Sequence, residues 1–187
     1  MPSGPGVIED SKIREIASAV PPPINTFLLT SLQDADKIIK QHRECRTSTI
    51  QLVDSVPIPE LEKIREYLSG IKIVQVIHVQ NENSIKEALN IESYVDAILL
   101  DSGNQSLPVK TLGGTGNIHD WKISKEIREG ASCPVFLAGG LNAQNVAEAI
   151  SIVKPFGIDV CSGVRTANVL DEVKLKNFFD AIVSPNI

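Results

Sequence analysis

The chain has few aromatic residues: one Trp, two Tyr and five Phe make up 4% of its 187 positions. Its core must therefore be aliphatic, and Ile, Val, Leu and Ala are plentiful. That profile suits a parallel sheet whose strands are covered on both faces. Cysteine is scarce as well. Cys45, Cys133 and Cys161 show neither metal-ligand spacing nor the even count of a disulfide framework, so no metal is expected and a reducing cytoplasm is the expected setting. An excess of basic residues is missing. The net charge is −5 and the pI about 5.2, which argues against nucleic acid as a partner. No apolar run reaches about 18 residues, so no membrane span is expected. The opening Met1-Pro-Ser-Gly-Pro-Gly6 lacks the basic and apolar regions of a signal peptide. With 42% hydrophobic residues the length supports one sizeable core, and a single domain over residues 1–187 is expected.

What is present is a regular alternation of strand and helix patterns. Asp10 or Ser11 opens a helix with Ile13, Ile16, Ala17 and Val20 on one face, and Pro21-Pro22-Pro23 ends it. Strands are expected at Thr26–Leu29, Thr49–Val53, Ile73–Val79, Asp96–Asp101, Pro134–Ala138 and Ile158–Val160. Helical stripes separate them. Ser31 is expected to cap Leu32/Ala35/Ile38/Ile39, and Asn142 to cap Val146/Ile150/Val153. A helix from about Asp120 is expected to bury Trp121, Ile123 and Ile127, and the last helix Leu175, Phe178, Phe179 and Ile182. Each connection between strands crosses over a helix, which demands parallel strands. An open doubly wound sheet and an incomplete (β/α)8 barrel both satisfy this. A full barrel needs roughly 200–250 residues, so this chain is about one and a half units short of one. Periodicity alone does not choose between the two.

In either architecture ligands sit at the carboxyl ends of the strands. Asp101 ends the apolar run Asp96-Ala-Ile-Leu-Leu-Asp101. A carboxylate there, among apolar neighbours, can have its pKa raised and serve as a general acid; the plain alternative is a loop cap or a lysine partner. Gly139-Gly140 and Ser162-Gly163 follow the last two strands. Glycines let main-chain N–H groups approach an anion, so these are the candidate phosphate loops, with two tight turns as the alternative. Gly113-Gly114-Thr115-Gly116 reads as a flexible loop or lid. Asp120 reads as a helix cap, His78 as a structural histidine, His42 as a surface residue and Cys161 as a small buried filler.

Taken together, Leu99-Leu100-Asp101, Gly113-Gly-Thr-Gly116, Asp120-Trp121, Leu137-Ala-Gly-Gly-Leu-Asn142 and Asp159-Val-Cys-Ser-Gly-Val164 resemble phosphoribosylanthranilate isomerase. The resemblance is ordered over residues 95–182 and looser over 7–94. It implies a (β/α)8 TIM-barrel type of fold with about six of eight parallel strands, lacking the first strand, first helix and second strand. It implies the tryptophan-pathway Amadori rearrangement of N-(5-phosphoribosyl)anthranilate, with no cofactor and a phosphorylated sugar as ligand. Asp101 matches the family's general acid. Gly139, Gly140, Ser162 and Gly163 match its phosphate loops, and Gly114 and Gly116 lie in its glycine-rich loop.

The chain also departs from that pattern. The family's general base is a cysteine in a Lys-Ile-Cys-Gly motif, which this sequence does not contain. Ser3-Gly4-Pro5-Gly6 stands where the family reads Ser-Pro-Arg. Val53 and Asp54 replace a His-Gly pair after Gln51-Leu52, and Arg165 replaces a Glu. A non-catalytic phosphosugar-binding or assembly protein is thus the alternative function. A different sugar-phosphate activity using Cys161 or His78 is a third. Missing strands would leave sheet edges open, and homodimerisation through them is expected.

Overall fold

A computed structural model describes residues 7–103 and 119–183. The chain begins with α1 (Asp10–Ala19), β1 (Phe27–Thr30), α2 (Ala35–Cys45), β2 (Thr49–Leu52) and α3 (Ile58–Tyr67). Then come β3 (Lys72–His78), α4 (Asn83–Ile91), β4 (Ala97–Asp101), α5 (Trp121–Gly130), β5 (Val135–Leu137), α6 (Val146–Val153) and β6 (Gly157–Ile158). A two-residue ladder, β7 (Arg165–Thr166) with β8 (Val169–Leu170), precedes α7 (Glu172–Val183). The six-stranded sheet has the order β1-β2-β3-β4-β5-β6. This order separates the two expected architectures. A doubly wound sheet reverses its strand order at a switch point, whereas a (β/α)8 barrel adds each strand beside the last. Among the described residues there is no reversal, so the sheet is of the barrel type, with six of the eight strands.

Contacts divide the chain into two compact units, Met1–Val76 with Ile91–Ala97, and Ile77–Asn90 with Ile98–Ile187. In the first, β1 and β2 pair in parallel from Phe27↔Thr49 to Thr30↔Leu52, and β2 pairs with β3 from Thr49↔Lys72 to Leu52↔Gln75. Every residue of β2 is buried, as a parallel strand covered on both faces requires. β1 differs. Leu28 and Thr30 are buried while Phe27 and Leu29 are 42% and 46% exposed, and among the described residues β1 pairs on one side only. Helix α1 buries none of its residues. Its stripe has the expected spacing, but Ile13 and Ile16 line an open groove of about 770 Å³ with Val7, Ile8, Phe27 and Leu29.

Helix α2 starts later than Ser31 predicts. Asp34 is the cap, and its Oδ1 accepts the Lys37 amide at 3.0 Å. His42, expected at the surface, is buried, with Nε2 2.8 Å from the Thr47 carbonyl. The reason is helical spacing: positions 38, 42 and 45 share a face, and Ile38 and Cys45 lie on it, fully buried.

In the second unit β4 pairs in parallel with β5 (Ile98↔Val135 to Leu100↔Leu137), and β5 with β6 (Phe136↔Gly157, Leu137↔Ile158). Asp120 caps α5 as expected, its Oδ1 accepting the Lys122 amide at 2.8 Å. The helix buries Ser124 and Ile127, leaving Trp121 and Ile123 only partly covered. Asn145 rather than Asn142 occupies the cap of α6; Asn142 shapes the turn before it, its Oδ1 accepting the Gln144 amide at 2.9 Å. In α7, Phe178 is buried and Phe179 is 57% exposed. The β7–β8 hairpin was not legible in the sequence. Its turn residues Ala167 and Asn168 both have positive φ, the conformation of a tight two-residue hairpin turn. Among the described residues, no helix is long and apolar enough to cross a membrane.

Asp96, just before β4, fastens the first unit. Its Oδ2 lies 2.7 Å from Arg65 Nη1 and accepts the Ile73 amide at 2.9 Å, and its Oδ1 lies 3.0 Å from Lys72 Nζ. The Asp96 amide in turn donates to the Ile73 carbonyl at 2.8 Å. Burial alone would raise the Asp96 pKa, but the Ile73 amide, Lys72 and Arg65 together hold it below the ordinary carboxylate value. A depressed folded-state pKa stabilises the fold above the unfolded pKa, and that stabilisation is lost as pH falls through the folded value. Asp96→Asn is therefore expected to cost about 1–3 kcal/mol in urea unfolding at pH 7. The gap between variant and unmodified chain should close as the pH drops below about 4.

Candidate active site

The carboxyl ends of β4, β5 and β6 converge in the second unit on a small cleft of about 50 Å³. Each strand contributes a different kind of group. β4 delivers Asp101, which is 8% exposed and whose Oδ1 accepts the Ser102 amide at 2.7 Å. The Asp101 carbonyl accepts the Val79 amide at 2.9 Å, so the residue is held through both main chain and side chain.

β5 delivers two glycines. Gly139 and Gly140 both have positive φ, +84° and +66°, which L side chains rarely adopt. Together they form a sharp turn ahead of α6. The Gly140 carbonyl accepts Asn142 Nδ2 at 3.2 Å and Asn145 Nδ2 at 3.0 Å, which fixes that turn. Among the described residues, the Gly139 and Gly140 amides donate to no carbonyl, leaving them available to an anion.

β6 delivers Asp159 and the loop after it. The Asp159 amide donates to the Leu137 carbonyl at 2.9 Å, placing its residue beside the end of β5. Burial, and secondly the charge of Asp101, push the Asp159 carboxyl above its ordinary pKa, against a smaller opposing pull from the Val160 amide. Ser162–Val164 form one turn of 3-10 helix. A Cβ on Gly163 would collide with the Leu141 carbonyl oxygen, so only glycine lets the two loops meet.

The structure thus gathers Asp101, Gly139, Gly140 and Ser162 around one cleft, with Gly163 behind it against Leu141. Gly114 and Gly116 lie outside the described residues. Asp159 lines the cleft as well, although the sequence did not single it out. The expected strand Ile158–Val160 made it read as strand interior, whereas β6 ends at Ile158 and Asp159 follows it. Cys161, expected as a buried filler, is exposed. It follows the strand end, where the chain turns outward, instead of lying within it.

His119 directly precedes the cap of α5. Its Nε2 is 2.7 Å from Ser124 Oγ. Burial pushes the imidazole pKa down to about 4 although the charge of Asp120 opposes this, so the ring is neutral at pH 7. Among the described residues no cluster of His, Cys, Asp and Glu side chains is arranged to hold a metal ion.

Comparison with known proteins places this geometry in a lineage. Residues 5–181 match the family model for N-(5'-phosphoribosyl)anthranilate (PRA) isomerase. The chain is 37% identical over 172 residues to N-(5'-phosphoribosyl)anthranilate isomerase 2 of Methanosarcina mazei, covering 91% of this chain and 75% of the relative. It is 34% identical over 175 residues to the Methanocella arvoryzae enzyme, covering 94% and 80%. The crystal structure of phosphoribosyl anthranilate isomerase from Thermotoga maritima aligns with a TM-score of 0.79 at 29% identity, covering 95% of this chain and 82% of that one. A second isomerase structure, in complex with reduced 1-(o-carboxyphenylamino)-1-deoxyribulose 5-phosphate, aligns with a TM-score of 0.75 at 26% identity, covering 95% and 80%. The chain belongs to the phosphoribosylanthranilate isomerase family.

Proposed function

We propose that this protein acts as a phosphoribosylanthranilate isomerase, converting N-(5-phosphoribosyl)anthranilate to its 1-deoxyribulose phosphate in the tryptophan pathway, in the cytoplasm. The observation that supports this reading is the pairing of two kinds of group in one cleft. Carboxyl groups at Asp101 and Asp159 stand beside a turn built from Gly139 and Gly140. The glycine turn and the Ser162–Gly163 loop take the 5-phosphate on main-chain amides. Asp101, the residue that matches the family's general acid, protonates the ribose ring oxygen and the ring opens to an iminium ion. Loss of the C2 proton then gives the enol that becomes the ketose. Only protons move, so the rearrangement calls for no cofactor.

Asp159 supports the acid step. Burial, and secondly the charge of Asp101, raise its pKa above the ordinary carboxylate value, so its carboxyl holds a proton more firmly than an exposed one. Substrate fluorescence is expected to decay in the presence of the protein, and Asp101→Asn should slow that decay by about 10²–10⁴-fold. A decay rate unchanged by Asp101→Asn overturns the assignment of the acid.

We also infer that two copies associate through the open side of β1. What supports this is the exposed pair Phe27 and Leu29 on a strand that, among the described residues, pairs only with β2, beside an apolar groove. Light scattering should give a dimer mass for the unmodified chain and a monomer mass for Leu29→Lys. A monomer mass for the unmodified chain would sink the idea.

A further inference from the structure

Three segments meet behind the glycine turn: the residue after β4, the first residues after β5, and the residues that open α5. His119 stands where they meet. On one side its Nε2 is held 2.7 Å from the hydroxyl of Ser124, which is fully buried in the first turns of α5. On the other side its Nδ1 faces Gly139. A Cβ built on Gly139 would lie 2.9 Å from that nitrogen and 2.9 Å from the Ser102 amide nitrogen. The same Ser102 amide donates to Asp101 Oδ1. Ring, glycine and amide therefore fill one corner with no space left over.

We propose that His119 is a positioning residue for the phosphate-binding turn. The imidazole, pinned at Nε2 by Ser124, backs Gly139 and thereby sets the direction of the Gly139 and Gly140 amides. The inference rests on reading that turn as the phosphate site. Two observations favour a positioning role over simple filling. Nδ1 is buried and, among the described residues, has no hydrogen-bond partner, which a hydrocarbon ring of the same size would avoid. What the imidazole adds in exchange is the bond to Ser124, which fixes the tilt of the ring. The ring is also uncharged at neutral pH, so it contributes shape and not attraction for an anion.

The test is a titration of the ¹⁵N-labelled full chain with ribose 5-phosphate, following the Gly139 and Gly140 amide resonances, with thermal melting measured in parallel. The variants are Ser124→Ala, which keeps the ring and removes its anchor, His119→Ala, and the double variant. Ribose 5-phosphate affinity is expected to fall about tenfold in His119→Ala and by a smaller factor in Ser124→Ala. The double variant should bind no more weakly than His119→Ala, because the anchor acts only through the ring. Unchanged affinity in Ser124→Ala and His119→Ala alongside lowered melting temperatures overturns the inference, since the ring is then only packing. Should His119→Ala fail to fold, Ser124→Ala decides alone: weakened binding supports the role and full binding ends it. If the unmodified chain shows no shift at Gly139 or Gly140, the phosphate reading falls and this inference falls with it. Ribose 5-phosphate affinity unchanged in all variants overturns only the inference.

Discussion

The contact that the functional face depends on most is the one between Gly163 and the Leu141 carbonyl. Parallel strands deliver their last residues to the same edge, but their loops ordinarily stand apart by the width of a side chain. Here the loop after β6 closes against the loop after β5 because position 163 has no Cβ. The same unit uses the device once more. A Cβ on Gly157, opposite Phe136 in the parallel register, would lie 2.7 Å from the Phe136 ring. Glycines at both ends of the β6 segment let it sit close to β5, one making room for an aromatic ring and the other for a main-chain oxygen. A side chain at position 163 would push the two loops apart. That would open the cleft between the Gly139–Gly140 turn and Ser162.

Electrostatics then decides what this cleft can hold. Main-chain amides at a glycine turn attract an anion, while Asp101 and Asp159 on the same wall repel one. The conflict is relieved when the carboxyl pair keeps a proton. Burial and mutual repulsion already push Asp159 in that direction. On the function proposed above, a phosphate on those amides would add further negative charge and strengthen the hold on that proton, and by linkage each would favour the other to the same extent.

How much of this was legible in the sequence depends on the kind of physics involved. The alternation of six strands with helices follows from period and punctuation, and it was readable because each element carries its own signal. The choice between barrel and doubly wound sheet was not, since both use the same crossover and differ only in which neighbour a strand selects. His42 looked like a surface residue because histidine is often polar-facing, yet its spacing from Ile38 and Cys45 held the correct answer. The α1 stripe was read correctly as a pattern, but a pattern does not say whether a partner surface is present. Asp101 stood out because the four apolar residues Ala97–Leu100 and a polar loop frame it. Asp159 lies between Ile158 and Val160, so it read as strand interior. His119 had no local signal at all: its meaning comes from Ser124 one helical turn on and from Gly139, twenty residues away and across a strand connection.

One groove of the first unit is lined by Val7, Ile8, Ile16, Phe27 and Leu29, each between 42% and 49% exposed. Fully burying side chains of this size is worth roughly 1.5–3 kcal/mol apiece, so half-exposure of five of them leaves several kcal/mol unrealised. Against the 5–15 kcal/mol, approximately, that separates folded from unfolded domains, that is a large fraction. Whatever covers β1 and α1 therefore stabilises the first unit strongly. The cleft draws nothing from that surface. Asp101, the Gly139–Gly140 turn, Asp159 and the Gly163 contact all belong to the second unit, and each is fixed by hydrogen bonds or packing within it. The self-association proposed at β1 and the ligand binding proposed at the glycine turn thus rest on different residues, so a substitution on the exposed face of β1 is expected to act on the first alone.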